Sequence, residues 1–188
     1  MDQLSKLQIG NITVSTRGAR TAQLQLEGSG KLSLNISDEA VSSPFGATCF
    51  GEESSRKTIE FTLPPGAQAF WKAFDQWAVG YLSEHSERLF KKVMTPQQVA
   101  ETYKSPVHQR ADYPPHLRCK ISFAGPATCK FWNESGQRCP MLTELRGISM
   151  RPRVTISHAW FMQREIGFVL QLTDLMIVEQ VDTCPFIM

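Results

Sequence analysis

Apolar and polar residues alternate along the first third of the chain. Leu24 and Leu26 fall at every second position before the tetrapeptide EGSG, and Leu32, Leu34 and Ile36 do so after it. The later stretch RKTIEFTL resumes the alternation. A period of two predicts half-buried strands, and a short glycine-containing segment between two such runs predicts a hairpin turn.

The periodicity changes after the pair of prolines at 64–65. Phe70, Phe74, Trp77 and Tyr81 follow at spacings of three and four residues. This spacing places the rings on one side of a helix, so it predicts an amphipathic helix of about six turns.

A second, shorter helix is predicted in the stretch TPQQVAETY. Thr95 is suited to the N-cap, Pro96 to the first helical position, and Gln98 to the partner position of a capping box. Strand-like runs then return: LRCKISF, TCKFWN, RVTIS and GFVLQLTDLMIV. This order predicts a mainly β fold of the α+β class, a small barrel or sandwich forming one domain over 1–188. Its helical insertion spans about 65–105, and a short C-terminal tail spans 180–188.

The segment SHAWFMQREIG between the last two runs contains Trp160, Phe161 and Met162 side by side. If it is a connector, the first strand ends at Ile156. Neighbours on a strand face opposite sides, so we expect Trp160 or Phe161 to pack beneath the 66–90 helix and the other side to face a partner. The residues expected to face inward are Val154, Ile156, Phe168, Leu170 and Leu172.

The composition indicates the general class of protein. Of the 188 residues, 41% are hydrophobic and 20% are charged, as in ordinary globular proteins. The sequence shows neither a secretory signal nor an apolar run approaching the roughly 18 residues of a membrane span, so we expect an intracellular or virion-internal protein that is not secreted. The four histidines are scattered, and no nucleophile, metalloprotease or phosphate-loop motif occurs. We therefore expect no catalysis and no cofactor.

The five cysteines leave two interpretations open. Cys119, Cys129 and Cys139 are evenly spaced near His116, which would suit zinc. Structural zinc sites, however, usually draw their ligands from close pairs, and the sequence contains no such pair. Buried free thiols are the interpretation that we favour, and we expect no metal.

The charge distribution singles out the middle of the chain. Residues 110–164 carry nine basic and three acidic side chains, net +6, whereas the whole chain carries +2. Aromatic residues lie between these cations. Cations along strands neutralise a phosphodiester backbone, and exposed rings stack on unpaired bases, so the pattern favours single-stranded nucleic acid. The alternative is that the rings are core residues.

Several segments together resemble a known family. They are SPFGATCFG, DYPPHLRCKI, FWNESG and VTISHAWFMQREIGFVLQLTDLMIVE, with the most specific pattern running from Ile156 to Leu170. Over roughly 40–180 they are similar to OB-fold single-stranded DNA-binding proteins of large nucleocytoplasmic DNA viruses, which are relatives of the phage type.

The resemblance implies a five-stranded OB-like barrel that binds single-stranded DNA, or RNA, during replication, recombination or repair. The candidate binding residues are Lys120, Lys130, Trp132, Arg151, Arg153, Trp160 and Phe161. Replication proteins or assembly subunits are possible partners, and an oligomer is possible. The competing hypothesis is a non-catalytic scaffolding subunit on the same fold, because aromatic residues and methionine also anchor protein interfaces.

Overall fold

The computed structural model describes residues 2–27, 30–49, 54–110, 112–162 and 165–178. The described part of the chain forms one mixed sheet of 12 strands. In chain order these are β1 (Leu7–Val14), β2 (Arg20–Leu26), β3 (Ser33–Asn35), β4 (Val41–Ser42), β5 (Ala47–Thr48), β6 (Arg56–Thr62), β7 (Tyr103–Lys104), β8 (Val107–Arg110), β9 (Tyr113–Ser122), β10 (Lys130–Trp132), β11 (Ser149–Phe161) and β12 (Ile166–Ile177).

The main path through the sheet is β1-β2-β11-β12-β9-β6-β5. The short strands β3 and β4 also pair with β11, whereas β7 and β10 pair with β12 and β8 pairs with β9. The hairpin predicted around EGSG is therefore wrong. β2 forms its hairpin with β1 instead, and β2 and β3 are joined to β11 at separate places.

Four helices accompany the described strands, namely α1 (Asp2–Ser5), α2 (Pro65–Glu84), α3 (Ser86–Phe90) and α4 (Pro96–Thr102). The long amphipathic helix is confirmed as α2. The capping box is confirmed too, because the Thr95 side chain accepts from the Gln98 amide and the Gln98 side chain accepts from the Thr95 amide. In the part of the chain that the structure describes, no helix is long and apolar enough to cross a membrane.

Helix α2 lies against the inner face of the sheet. The Phe74 ring meets the Phe168 ring edge to face at a centroid distance of 5.4 Å, and Trp77 lies 6.0 Å from the same ring. Partly buried hydrogen bonds reinforce this packing, because Tyr103 and Ser105 donate bonds of 2.7 and 2.6 Å to the Asp75 carboxylate on α2. These contacts place α2 on the inner face, the face to which Phe168 points, and the opposite face is called the outer face.

The longest hairpin is formed by β11 and β12. All five residues expected to face inward are buried, as predicted from the alternation. The predicted end of the first strand at Ile156 is wrong, because β11 continues to Phe161. A β-bulge between Ile156 and His158 adds one residue and resets the alternation, so the strand continues past the break in the apolar pattern. The described fold is thus mainly β and of the α+β class, as expected.

Candidate nucleic-acid interface

Most of the candidate binding residues lie on the outer face of the sheet, opposite α2. Residues that are directly paired across neighbouring strands project to the same side, so the strand register identifies the members of each row. Two rows cross β12 near its C-terminal end: Trp132, Met176 and Arg151 in one, and Lys130, Asp174 and Arg153 in the next. Lys130, Arg151 and Arg153 are all exposed.

The same outer face continues toward the β11–β12 turn. Lys120 pairs with Gln171, which pairs with Thr155, and further along Trp160 pairs with Gly167. The register therefore brings six of the seven candidates onto one face through their pairing with β12, although they come from three different strands.

Phe161 is the candidate that does not join the others. It points to the inner face, only 5% of its surface is exposed, and its ring centroid lies 5.8 Å from that of Phe90 on α3. As the alternation predicted, one ring of the adjacent pair is packed against the 66–90 segment, and the structure identifies it as Phe161. Phe161 is thus a core residue, whereas Trp160 is half-buried on the outer face.

The Trp132 ring is held by polar contacts. Its indole N–H donates a 2.9 Å hydrogen bond to Oδ1 of Asp174, and the Arg138 guanidinium carbon lies 5.2 Å from the ring centroid. The ring borders a groove of about 430 Å³ that Arg151 and Arg153 also line. Position 132 therefore combines an oriented aromatic ring with two nearby cations.

The Trp160 ring is held by packing. It lies across the backbone of Gly167, where an added Cβ would come within 2.6 Å of the indole Cζ2 atom. The absence of a side chain at 167 therefore allows the ring to lie close to β12. Trp160 borders a second pocket, of about 690 Å³, together with Lys104 and Lys120.

Three cations crowd together beside this pocket. Burial lowers the pKa of Lys120, and the neighbouring charges of Arg118 and Arg56 lower it further. Burial and the charge of Arg56 also lower the pKa of His158 on the same face. Arg118 forms an ion pair with Glu60 at 3.4 Å. A bound anion such as phosphate near Arg56 and Lys120 would relieve the repulsion that remains.

Arg56, Arg118 and His158 were not among the candidate residues. Arg56 lies in the neutral first half of the chain, and it reaches the site because β6 pairs with β9. The alternation in RKTIEFTL could have indicated its outward direction, since Ile59 and Phe61 face the core. The sequence contained no signal for the pairing itself.

Two of the evenly spaced cysteines belong to the core. Cys119 and Cys129 are buried, and burial raises the pKa of both thiols, that of Cys129 to about 12. Among the residues that the structure describes, no three histidine, cysteine or acidic side chains come together in a way that could hold a metal ion.

Comparisons with known proteins concern the fold. No protein-family model and no curated protein matches the chain. Among solved structures, gp2.5, a single-stranded DNA-binding protein encoded by bacteriophage T7, matches with 13% identity and a TM-score of 0.50 over 80% of this chain and 87% of that one. The chain shares the fold of that protein.

A second solved structure is also similar. It is the single-stranded DNA-binding protein from bacteriophage Enc34 in complex with single-stranded DNA, with 10% identity and a TM-score of 0.49 over 90% of this chain and 95% of that one. The identity in both matches is too low to assign residue roles, so the functional argument rests on the face itself.

Proposed function

We propose that the chain is a non-catalytic single-stranded DNA-binding protein that acts in replication, recombination or repair. The observation that carries the proposal is the gathering of Trp132 and Trp160 with Lys120, Lys130, Arg151 and Arg153 on one outer face. Cations and rings on a shared face serve both parts of an unpaired strand, its phosphates and its bases.

The two kinds of side chain contribute differently. Each cation that neutralises a phosphate releases counterions, which provides affinity without sequence preference. Each aromatic ring that stacks on a base contributes about 1–3 kcal/mol, and a base is available for stacking only in an unpaired strand. The combination therefore favours single strands over duplexes.

We also propose that the strands close into a five-stranded OB-like barrel within a single domain. The segment 41–48 pairs with β11 through β4 and with β6 through β5, which supports a circuit of this segment with β6, β9, β12 and β11. The parallel contact between Lys120 on β9 and Gln171 on β12 fits that circuit. The fold shared with the phage T7 protein supports the proposal, as does the resemblance to the viral family.

A salt titration tests the function. The protein is titrated with poly-dT, followed by tryptophan fluorescence, at several salt concentrations. The double variant Arg151→Ala/Arg153→Ala should bind more weakly and flatten the dependence of log K on log salt by about one to two units. Lys72→Ala/Lys92→Ala is the matched control, since it removes two exposed cations from the helical side and should leave the slope unchanged.

The outcomes separate the two hypotheses. Absence of binding at low salt, or a salt slope near zero, would refute the nucleic-acid proposal and favour the scaffolding alternative. A parallel titration with poly-U compares RNA with DNA, and one with a duplex tests the preference for single strands.

A further inference from the structure

We propose that the outer face contains two separate stacking subsites, one at Trp132 and one at Trp160, which only a sufficiently long single strand occupies at the same time. This inference rests on the proposed function and adds to it the length class of the substrate.

Each ring is fixed in place before a ligand binds. The Trp132 indole is oriented by its hydrogen bond to Asp174 and by the Arg138 guanidinium over the ring. The Trp160 indole lies on the Gly167 backbone, with no Cβ to lift it away. A ring that is already oriented loses little conformational freedom when a base stacks on it, so both positions are suited to stacking.

The two subsites lie at opposite ends of β12. Trp132 pairs with Met176 and Trp160 pairs with Gly167. Over the residues between these positions, a strand rising about 3.3 Å per residue extends about 30 Å. A single strand stacked as in a duplex rises about 3.4 Å per nucleotide, so about nine nucleotides cover this distance, and an unstacked strand needs fewer.

Cations lie along the path between the two rings. Arg153 and Lys130 flank Asp174 in one row, and Lys120 pairs with Gln171 in the next. A strand that runs along β12 can therefore keep its phosphates near positive charge from one ring to the other. The intervening surface supports one continuous footprint.

Two linked subsites predict a particular dependence on length. Once a long strand has bound one ring, its contact with the second ring is intramolecular and gains from a high effective concentration. Loss of either ring should then weaken a long strand about 5- to 150-fold, which is the stacking contribution of one base. A short strand reaches one ring only and can use either, so for two subsites of equal affinity the loss of one ring should weaken it about twofold.

The experiment compares oligothymidylates of three and twelve nucleotides on Trp132→Ala, Trp160→Ala and the double variant, by competition against a fluorescent oligonucleotide. We expect the twelve-nucleotide strand to lose about 5- to 150-fold with either single variant. For subsites of equal affinity, the three-nucleotide strand should change about twofold with either one, and it should lose most of its binding only with the double variant. Lys92→Ala is the control for unrelated surface changes.

If each single variant weakened the binding of the three- and twelve-nucleotide strands by the same factor, the inference would be overturned. An affinity that rises smoothly with strand length in the unsubstituted protein would overturn it too. Failure of every oligonucleotide to bind would instead refute the proposed function. If an alanine variant does not fold by circular dichroism, Trp132→Leu keeps apolar volume at that position without an aromatic ring, and Gly167→Ala displaces the Trp160 ring. Both should weaken the long strand more than the short one, and the opposite order would also overturn the inference.

Discussion

Truncation of the adjacent rings Phe161 and Trp160 should have opposite consequences, although they are neighbours in the sequence. Phe161 is 5% exposed and lies against Phe90, so Phe161→Ala removes buried apolar surface and leaves a cavity. Such truncations cost about 3–5 kcal/mol, and because Phe161 is the last residue of β11, we expect about 3 kcal/mol. DNA affinity measured under folding conditions should change little.

Trp160→Ala should lower stability little and DNA affinity strongly. The ring is half-buried and borders an open pocket, so its removal leaves no closed cavity, and we expect a stability loss of about 1 kcal/mol. The loss of a stacking surface should weaken oligonucleotide binding by about 1–3 kcal/mol. Urea unfolding followed by circular dichroism and an oligonucleotide titration measure the two quantities on the same samples. Equal stability losses with unchanged binding for both variants would refute the assignment of inner and outer rings.

Three further predictions concern other parts of the molecule. Asp75→Ala leaves two partly buried hydroxyls without their acceptor and should lower the free energy of unfolding by about 1–3 kcal/mol. Asp75→Asn keeps an acceptor oxygen and should cost less, and equal losses in urea unfolding would contradict this.

Burial and Arg56 lower the pKa of His158, so the unfolded chain binds a proton more readily there. The free energy of unfolding should therefore fall as the pH drops below 6.5, the ordinary pKa of histidine. In His158→Gln, the free energy of unfolding should differ less between pH 7.5 and pH 5 than in the unsubstituted protein. The same pH dependence in both proteins would argue against this role of His158. Dialysis against a chelator should leave the Tm unchanged, and a large drop would indicate a metal site at Cys119 or Cys129.

The sequence by itself determined the elements whose signals are local. Alternation in RVTIS and GFVLQLTDL correctly predicted which side chains of β11 and β12 face the core, because successive side chains on a strand point to opposite sides. The spacing of Phe70, Phe74 and Trp77 predicted α2, and the capping box predicted the start of α4. The basic middle of the chain also indicated most of the residues that now share a face.

The tertiary structure decided everything that depends on which strands pair. The β-bulge after Ile156, which no local pattern predicted, shifts the alternation of β11 by one residue. As a result the side chain of Phe161 points inward and that of Trp160 points outward. Only the pairing of β6 with β9 brings Arg56 beside Lys120, and only the register of β10 with β12 places Trp132 in a row with Arg151. Strands pair through backbone hydrogen bonds, which any sequence can form. The local pattern of residues therefore predicts which way each side chain points, but not which strand pairs with its own.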